Sequence, residues 1–187
     1  MEPFRPTRGG GVRAALAPAE ASLLRSLVGQ VITLIAPDGP PGPKEQDEPD
    51  GLPAWDDLVN LDRELSTPDD PVLARLLPDG YRGDPEAAGE FRKYTESGLR
   101  SAKHQAAQDM LDTLPEAGGK IQLTNDQAHA WLKALNDVRL ALGVRLGVTE
   151  EFEEQWGQLA ADDPQWAAYE VYAWLGAVQE SLVQALA

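Results

Sequence analysis

Proline placement constrains this chain more than any other feature. A proline is tolerated in the first turn of a helix but breaks the interior of a helix or a central strand. The fifteen prolines therefore mark where long helices can run. Pro18 opens a stretch that stays free of proline to Ala36, in which Leu23, Leu24, Leu27, Val28, Val31, Ile32 and Ile35 recur at helical spacing. So wide an apolar face predicts a helix packed centrally, from about Pro18 to Ile35. Asp84-Pro85-Glu86 supplies a capping residue, a proline at the first helical position and an acid at the positive end of the dipole. It opens the longest predicted helix, which ends near Leu114, before Pro115.

Shorter helical patterns cover Trp55 to Leu65 and Asp70 to Leu77. Thr124 precedes Gln127 at capping-box spacing. The helix it opens carries Ala128, Trp131, Leu132, Leu135, Val138 and Leu142 on one face. A last helix is expected from Asp163-Pro164, with Val171, Leu175, Val178 and Leu182 aligned. Two short runs read as strands instead, Val12 to Leu16 and Lys120 to Leu123, the second alternating polar and apolar residues. Each leads into an amphipathic helix, and the two are expected to pair. The expected fold is mainly α, a compact domain of about five to six helices over residues 12–187 with a minor two-stranded β element. Residues 1–11, rich in Pro, Arg and Gly, read as a disordered tail. Residues 37–53, crowded with Pro, Gly and acids, read as a mobile loop within the domain.

Charge narrows the function classes. The net charge is -15 and it is segregated. Eleven acids against Lys44 and Arg63 lie between Asp38 and Asp70, and eight acids with no Lys or Arg lie from Thr149 onward. Nucleic acid repels such a molecule at long range, because phosphate contacts need clustered cations. One basic stripe runs against the trend. Arg92, Lys93, Arg100, Lys103 and His104 fall within about 120° on a helical wheel. Phe91, Thr95, Leu99, Ala102 and Ala106 form a second arc, expected to face the core. The stripe reads as a solvated face or, alternatively, as a groove-binding helix. Trp156 and Trp166 border the acidic C-terminal region. They read either as closing the last helix onto the core or as anchors of a protein-binding patch. With Arg92, Lys93, Arg100 and Lys103, they make up the candidate interaction surface.

Catalytic patterns are missing from the sequence. There is no cysteine, which excludes thiol nucleophiles, thiolate metal sites and disulfides. The two histidines, His104 and His129, lie on different predicted helices, and neither has a Glu three residues before it. Glu150, Glu151, Glu153 and Glu154 suit a first helical turn. No glycine-rich phosphate loop precedes a helix. The expectation is a non-enzyme with no cofactor, no metal and no membrane span, resident in the cytoplasm.

Four stretches resemble one family. They run from Asp70 to Tyr81 (DPVLARLLPDGY), from Glu86 to Arg92 with Thr95-Glu96, from Trp131 to Gly143 (WLKALNDVRLALG), and from Tyr172 to Leu175 with Gln179-Glu180. Together they resemble the AosR family of actinobacterial oxidative-stress regulators, over the chain from about Val12 onward. The resemblance implies a role in transcriptional control of oxidative-stress defence and cysteine biosynthesis, with genes that tend to neighbour a Clp protease adaptor. A member that senses oxidants is expected to use a cysteine pair, and this chain has none to match it. With a net charge of -15 and no recognisable helix-turn-helix, the expected partner is a protein such as a sigma factor or RNA polymerase, and a homodimer is compatible with the sequence. Direct DNA binding through the basic helix face, and an adaptor or scaffold role in proteolysis or cysteine biosynthesis, are the alternatives.

Overall fold

The computed structural model describes residues 1–36, 68–81, 83–159, 163 and 165–187. The expected loop at 37–53 and the helical pattern at Trp55 to Leu65 lie outside the described residues. Strands β1 (Glu2–Pro6) and β2 (Val12–Leu16) lead into helix α1 (Pro18–Ile35). Helices α2 (Pro71–Leu76) and α3 (Pro85–Thr113) follow, then strand β3 (Gly119–Leu123) and helices α4 (Asn125–Leu146), α5 (Phe152–Gly157) and α6 (Trp166–Leu186). Among the described residues the architecture is mainly α with one small antiparallel sheet in the order β1-β2-β3.

Local signals set the helix starts. Asp70 accepts the Val72 and Leu73 amides at 2.7 and 3.1 Å, and Asp84 accepts the Ala87 amide at 3.0 Å. Thr124 and Gln127 form the expected reciprocal box, at 3.2 and 2.9 Å. The pairing of the two short runs also forms, with Val12 opposite Leu123 and Leu16 opposite Gly119.

The N-terminal tail is a correction. Residues 2–6 form a third strand, and Phe4 is buried. The Phe4 ring meets Trp131 edge-on at 5.8 Å between centroids. Burial of one large aromatic outweighs the entropy that otherwise frays a terminus. The glycine run is the turn of the β1–β2 hairpin. Gly11 has φ +82, and a Cβ there would lie 2.2 Å from the Leu123 carbonyl oxygen, so glycine is required. Gly118 (φ +74) is equally confined, against the backbone of Leu16 to Pro18.

The core lies between one face of the sheet and the helices. Trp131, Leu24, Val28, Met110, Leu135, Leu175 and Leu182 are all fully buried. Helix α4 runs through this core, with α3, α6, α2 and α1 packed around it, and α6 returns along β1. Arg25 donates to the Leu114 carbonyl at 2.8 Å, tying α1 to the end of α3.

Candidate functional site

The first half of α3 is oriented differently from the expected arc. Phe91, Leu99 and Ala102 are exposed, and Tyr94 is 86% exposed. The inward face carries Ala88, Arg92, Ala106, Ala107 and Met110. The physical reason is a set of backbone acceptors. This half of α3 packs where α1 and α2 end, and helix C-termini present carbonyls without intrahelical donors. Arg92 donates to the Leu77 carbonyl at 3.0 Å, and Arg100 donates to the Ile35 carbonyl at 3.2 Å.

Carboxylates complete the network. Arg92 is 5% exposed; it donates to Asp79 and, at 2.6 Å, to Glu96. Arg100 Nε donates to the other oxygen of Glu96 at 2.8 Å. Burial pushes the Glu96 carboxyl up, but its bonds to Arg92 and Arg100 outweigh that and leave its pKa lowered. Burial likewise opposes the charged form of Arg92, and Glu96 and Asp79 reverse the effect, raising its pKa. Further along, Lys103 donates to Asp137 of α4 at 2.6 Å. Of the expected stripe, Arg92, Arg100 and Lys103 are thus committed to internal ion pairs, and Arg92 is no surface residue at all. Lys93 and His104 are exposed.

Asp137 gives a pH prediction. Burial raises its pKa, and the Lys103 bond offsets only part of the rise. A carboxyl with a higher pKa in the fold than in the unfolded chain binds its proton more tightly when folded. Between those two values stability therefore rises as pH falls. Asp137→Asn keeps an acceptor for Lys103 and should remove that segment of the pH–stability curve. Urea midpoints measured across the acidic range check this, and superimposable curves for the two proteins would contradict it.

Trp156 and Trp166 come together. Their ring centroids are 5.7 Å apart, and both are half-buried. Phe152, beside Trp156, extends the cluster along α6, stacked on Tyr169 at 5.4 Å and tilted against Tyr172 at 4.8 Å. The Arg139 guanidinium sits 5.2 Å over the Tyr172 ring, and its Nη1 donates to Gln179 at 2.8 Å. This aromatic cluster joins α5 to the start of α6. Among the described residues no three His, Asp or Glu converge on a point that could hold a metal ion, and no helix is long and apolar enough to cross a membrane.

Sequence reasoning missed the outer face of the sheet. Arg5, Arg13, Lys120 and Gln122 are exposed there, over a concavity of about 890 Å³. The alternation of Lys120 to Leu123 carried part of that signal, since the polar Lys120 and Gln122, two positions apart, share a face.

Comparison with known proteins places these features in context. The family model described as "Domain of unknown function (DUF2017)" matches residues 1–186. The protein named "Oxidative stress regulator AosR" in Mycobacterium tuberculosis is 37% identical over 195 residues, which span 95% of this chain and 83% of the relative. The Mycobacterium bovis protein of that name matches at the same identity and coverage. The "Putative oxidative stress regulator AosR" of Mycobacterium leprae is 38% identical over 192 residues, with the same coverage of both chains. No solved structure matches the chain.

Proposed function

Since the chain belongs to the family described as DUF2017, whose matched mycobacterial relatives are named as oxidative stress regulators, we propose that it is a non-enzymatic regulator of an oxidative-stress response, acting through a protein partner, a sigma factor or RNA polymerase. The observation that carries the choice of a protein partner is the fate of the basic helix face. Its candidate phosphate contacts, Arg92, Arg100 and Lys103, already neutralise Asp79, Glu96 and Asp137 inside the fold. A cation paired in this way releases no counterions on meeting a phosphate, so it adds little to DNA affinity. The net charge of -15 acts in the same direction.

Sensing chemistry is constrained as well. With no cysteine, the sulfur of this chain is confined to Met1, partly buried against the core, and Met110, which is fully buried. Methionine oxidation needs access, so on this reading the oxidant signal is received by another molecule and passed on by contact.

Two measurements test the proposal. Anisotropy of labelled promoter duplex with the isolated protein should show binding no tighter than the nonspecific range of about 10⁻⁴–10⁻⁶ M at physiological salt. Capture from native lysate should retain a sigma factor or polymerase subunits. Nanomolar, sequence-dependent binding of DNA by the isolated protein, or capture without any transcription component, would overturn it.

A further inference from the structure

The sheet buries one face and leaves the other bare among the described residues. Phe4, Val12, Ala14, Leu16, Ile121 and Leu123 point into the core. The opposite face is basic. Register puts Arg5 opposite Arg13, and Arg13 opposite Gln122. Lys120 stands opposite Ala15, whose other neighbour is Glu2, an acid on the same concavity. Arg8, in the hairpin turn, is exposed beyond β1.

Two observations set this face apart. Like charges directly opposite on neighbouring strands are destabilising, and Arg5 and Arg13 occupy such a pair. In addition, Arg5, Arg8, Arg13 and Lys120 form no ion pair among the described residues, whereas Arg92, Arg100 and Lys103 all do. An acidic chain thus keeps, among the described residues, a cluster of cations without ion pairs on a bare sheet face, at some cost to stability.

We propose that this face docks an acidic, extended segment of a partner protein, with its carboxylates on Arg5, Arg13 and Lys120. The inference rests on the regulatory reading above, in which the chain works through a protein. Charge complementarity identifies the occupant. Strands lie about 4.8 Å apart, so the three-stranded face spans only about 10 Å. That width suits a single extended segment with a few carboxylates, and each guanidinium fork can hold one carboxylate bidentately. Duplex DNA carries one charge per about 1.7 Å of its axis. Beyond these few cations it would meet the excess of acids on the rest of the molecule.

The test uses the intact protein, a labelled oligoglutamate peptide and a labelled DNA duplex, followed by anisotropy. The peptide should bind with an affinity that falls as salt rises. The double variant Arg5→Gln, Arg13→Gln should weaken binding by about tenfold or more, since two charge-assisted contacts are lost. Peptide-induced amide shifts should map to Arg13, Lys120 and Gln122. The thermal midpoint of the variant should equal or exceed that of wild type, because the Arg5–Arg13 repulsion is relieved; a lower midpoint would assign the arginines to holding the fold instead. Failure of the peptide to bind, or undiminished binding by the variant, overturns the proposal. Tighter binding of the duplex than of the peptide overturns it in favour of nucleic acid. Lysate capture separates the two levels of inference. If the variant still retains the transcription partner that wild type retains, the docking face is wrong and the regulatory reading stands. If wild type retains none, that reading fails, and the peptide titration still decides the chemistry of the face.

Discussion

Trp131→Ala should cost the fold about 3–5 kcal/mol, the range for truncating a buried large aromatic. The side chain is 0% exposed and shares its helix face with Ala128, Leu135 and Val138, all buried. Two specific contacts are lost with the ring. Its Nε1 donates to the Thr113 hydroxyl at 2.7 Å, which joins α4 to the last turn of α3. Its π-system meets the edge-on Phe4 ring, which anchors β1. The cavity would therefore open where sheet and helices meet, and β1 should lose protection from hydrogen exchange before the rest of the sheet. Trp131→Phe retains an aromatic for Phe4 but not the hydrogen bond, and should cost less. Urea unfolding at constant m-value measures both. An unchanged midpoint for the alanine variant would mean that the indole is exposed in solution.

The legible parts of this fold are those whose causes lie close in sequence. Pro18, Asp84-Pro85 and the Thr124–Gln127 box each act within a turn of the helix they start. The β2–β3 pair was legible because each short run leads into a similar amphipathic helix. What escaped was decided by distant partners. Phe4 is a single aromatic in a stretch of Pro, Arg and Gly, and only Trp131 gives it a reason to be ordered. The hairpin did leave a trace, since a glycine cluster between two short runs is a turn signal. The orientation of α3 was a contest between two arcs of comparable width. Hydrophobicity favoured burying Phe91 and Leu99, yet the carbonyls of Leu77 and Ile35 required donors, and arginine can supply them from a helix. Glu96, four residues from both Arg92 and Arg100, was the local clue. On a solvated face such a ladder is weak, and here it is a buried clamp. The candidate surface was legible only in part. Trp156 and Trp166 do meet, whereas the basic face of the sheet depends on β1, whose order rests on the distant Trp131.

Arg92→Ala should destabilise the protein by about 3 kcal/mol, the lower end for breaking a buried ion pair, because Asp79 is still partly in contact with water. The loss has three parts. The Leu77 carbonyl gives up its 3.0 Å donor, Asp79 loses the Arg92 guanidinium, and of its two arginines Glu96 keeps Arg100. Arg92→Lys should recover a minor share, since a single ammonium cannot reproduce a guanidinium that reaches a carbonyl and two carboxylates at once. The pH dependence gives an independent readout. Glu96 has a lowered pKa in the fold, so its contribution is fully present above the pKa of the unfolded chain and is lost as pH falls through the folded value. Without Arg92 that depression shrinks, and the variant should lose less stability on acidification than wild type does. A double-mutant cycle with Glu96→Gln isolates the pair, and a coupling well above the 0.2–1 kcal/mol typical of exposed ion pairs is expected. Coupling no larger than that, together with an unchanged urea midpoint for Arg92→Ala, would place the guanidinium in solvent. The stripe Arg92, Lys93, Arg100 and Lys103 would then be available to phosphates, and DNA binding through α3 would become the reading to pursue.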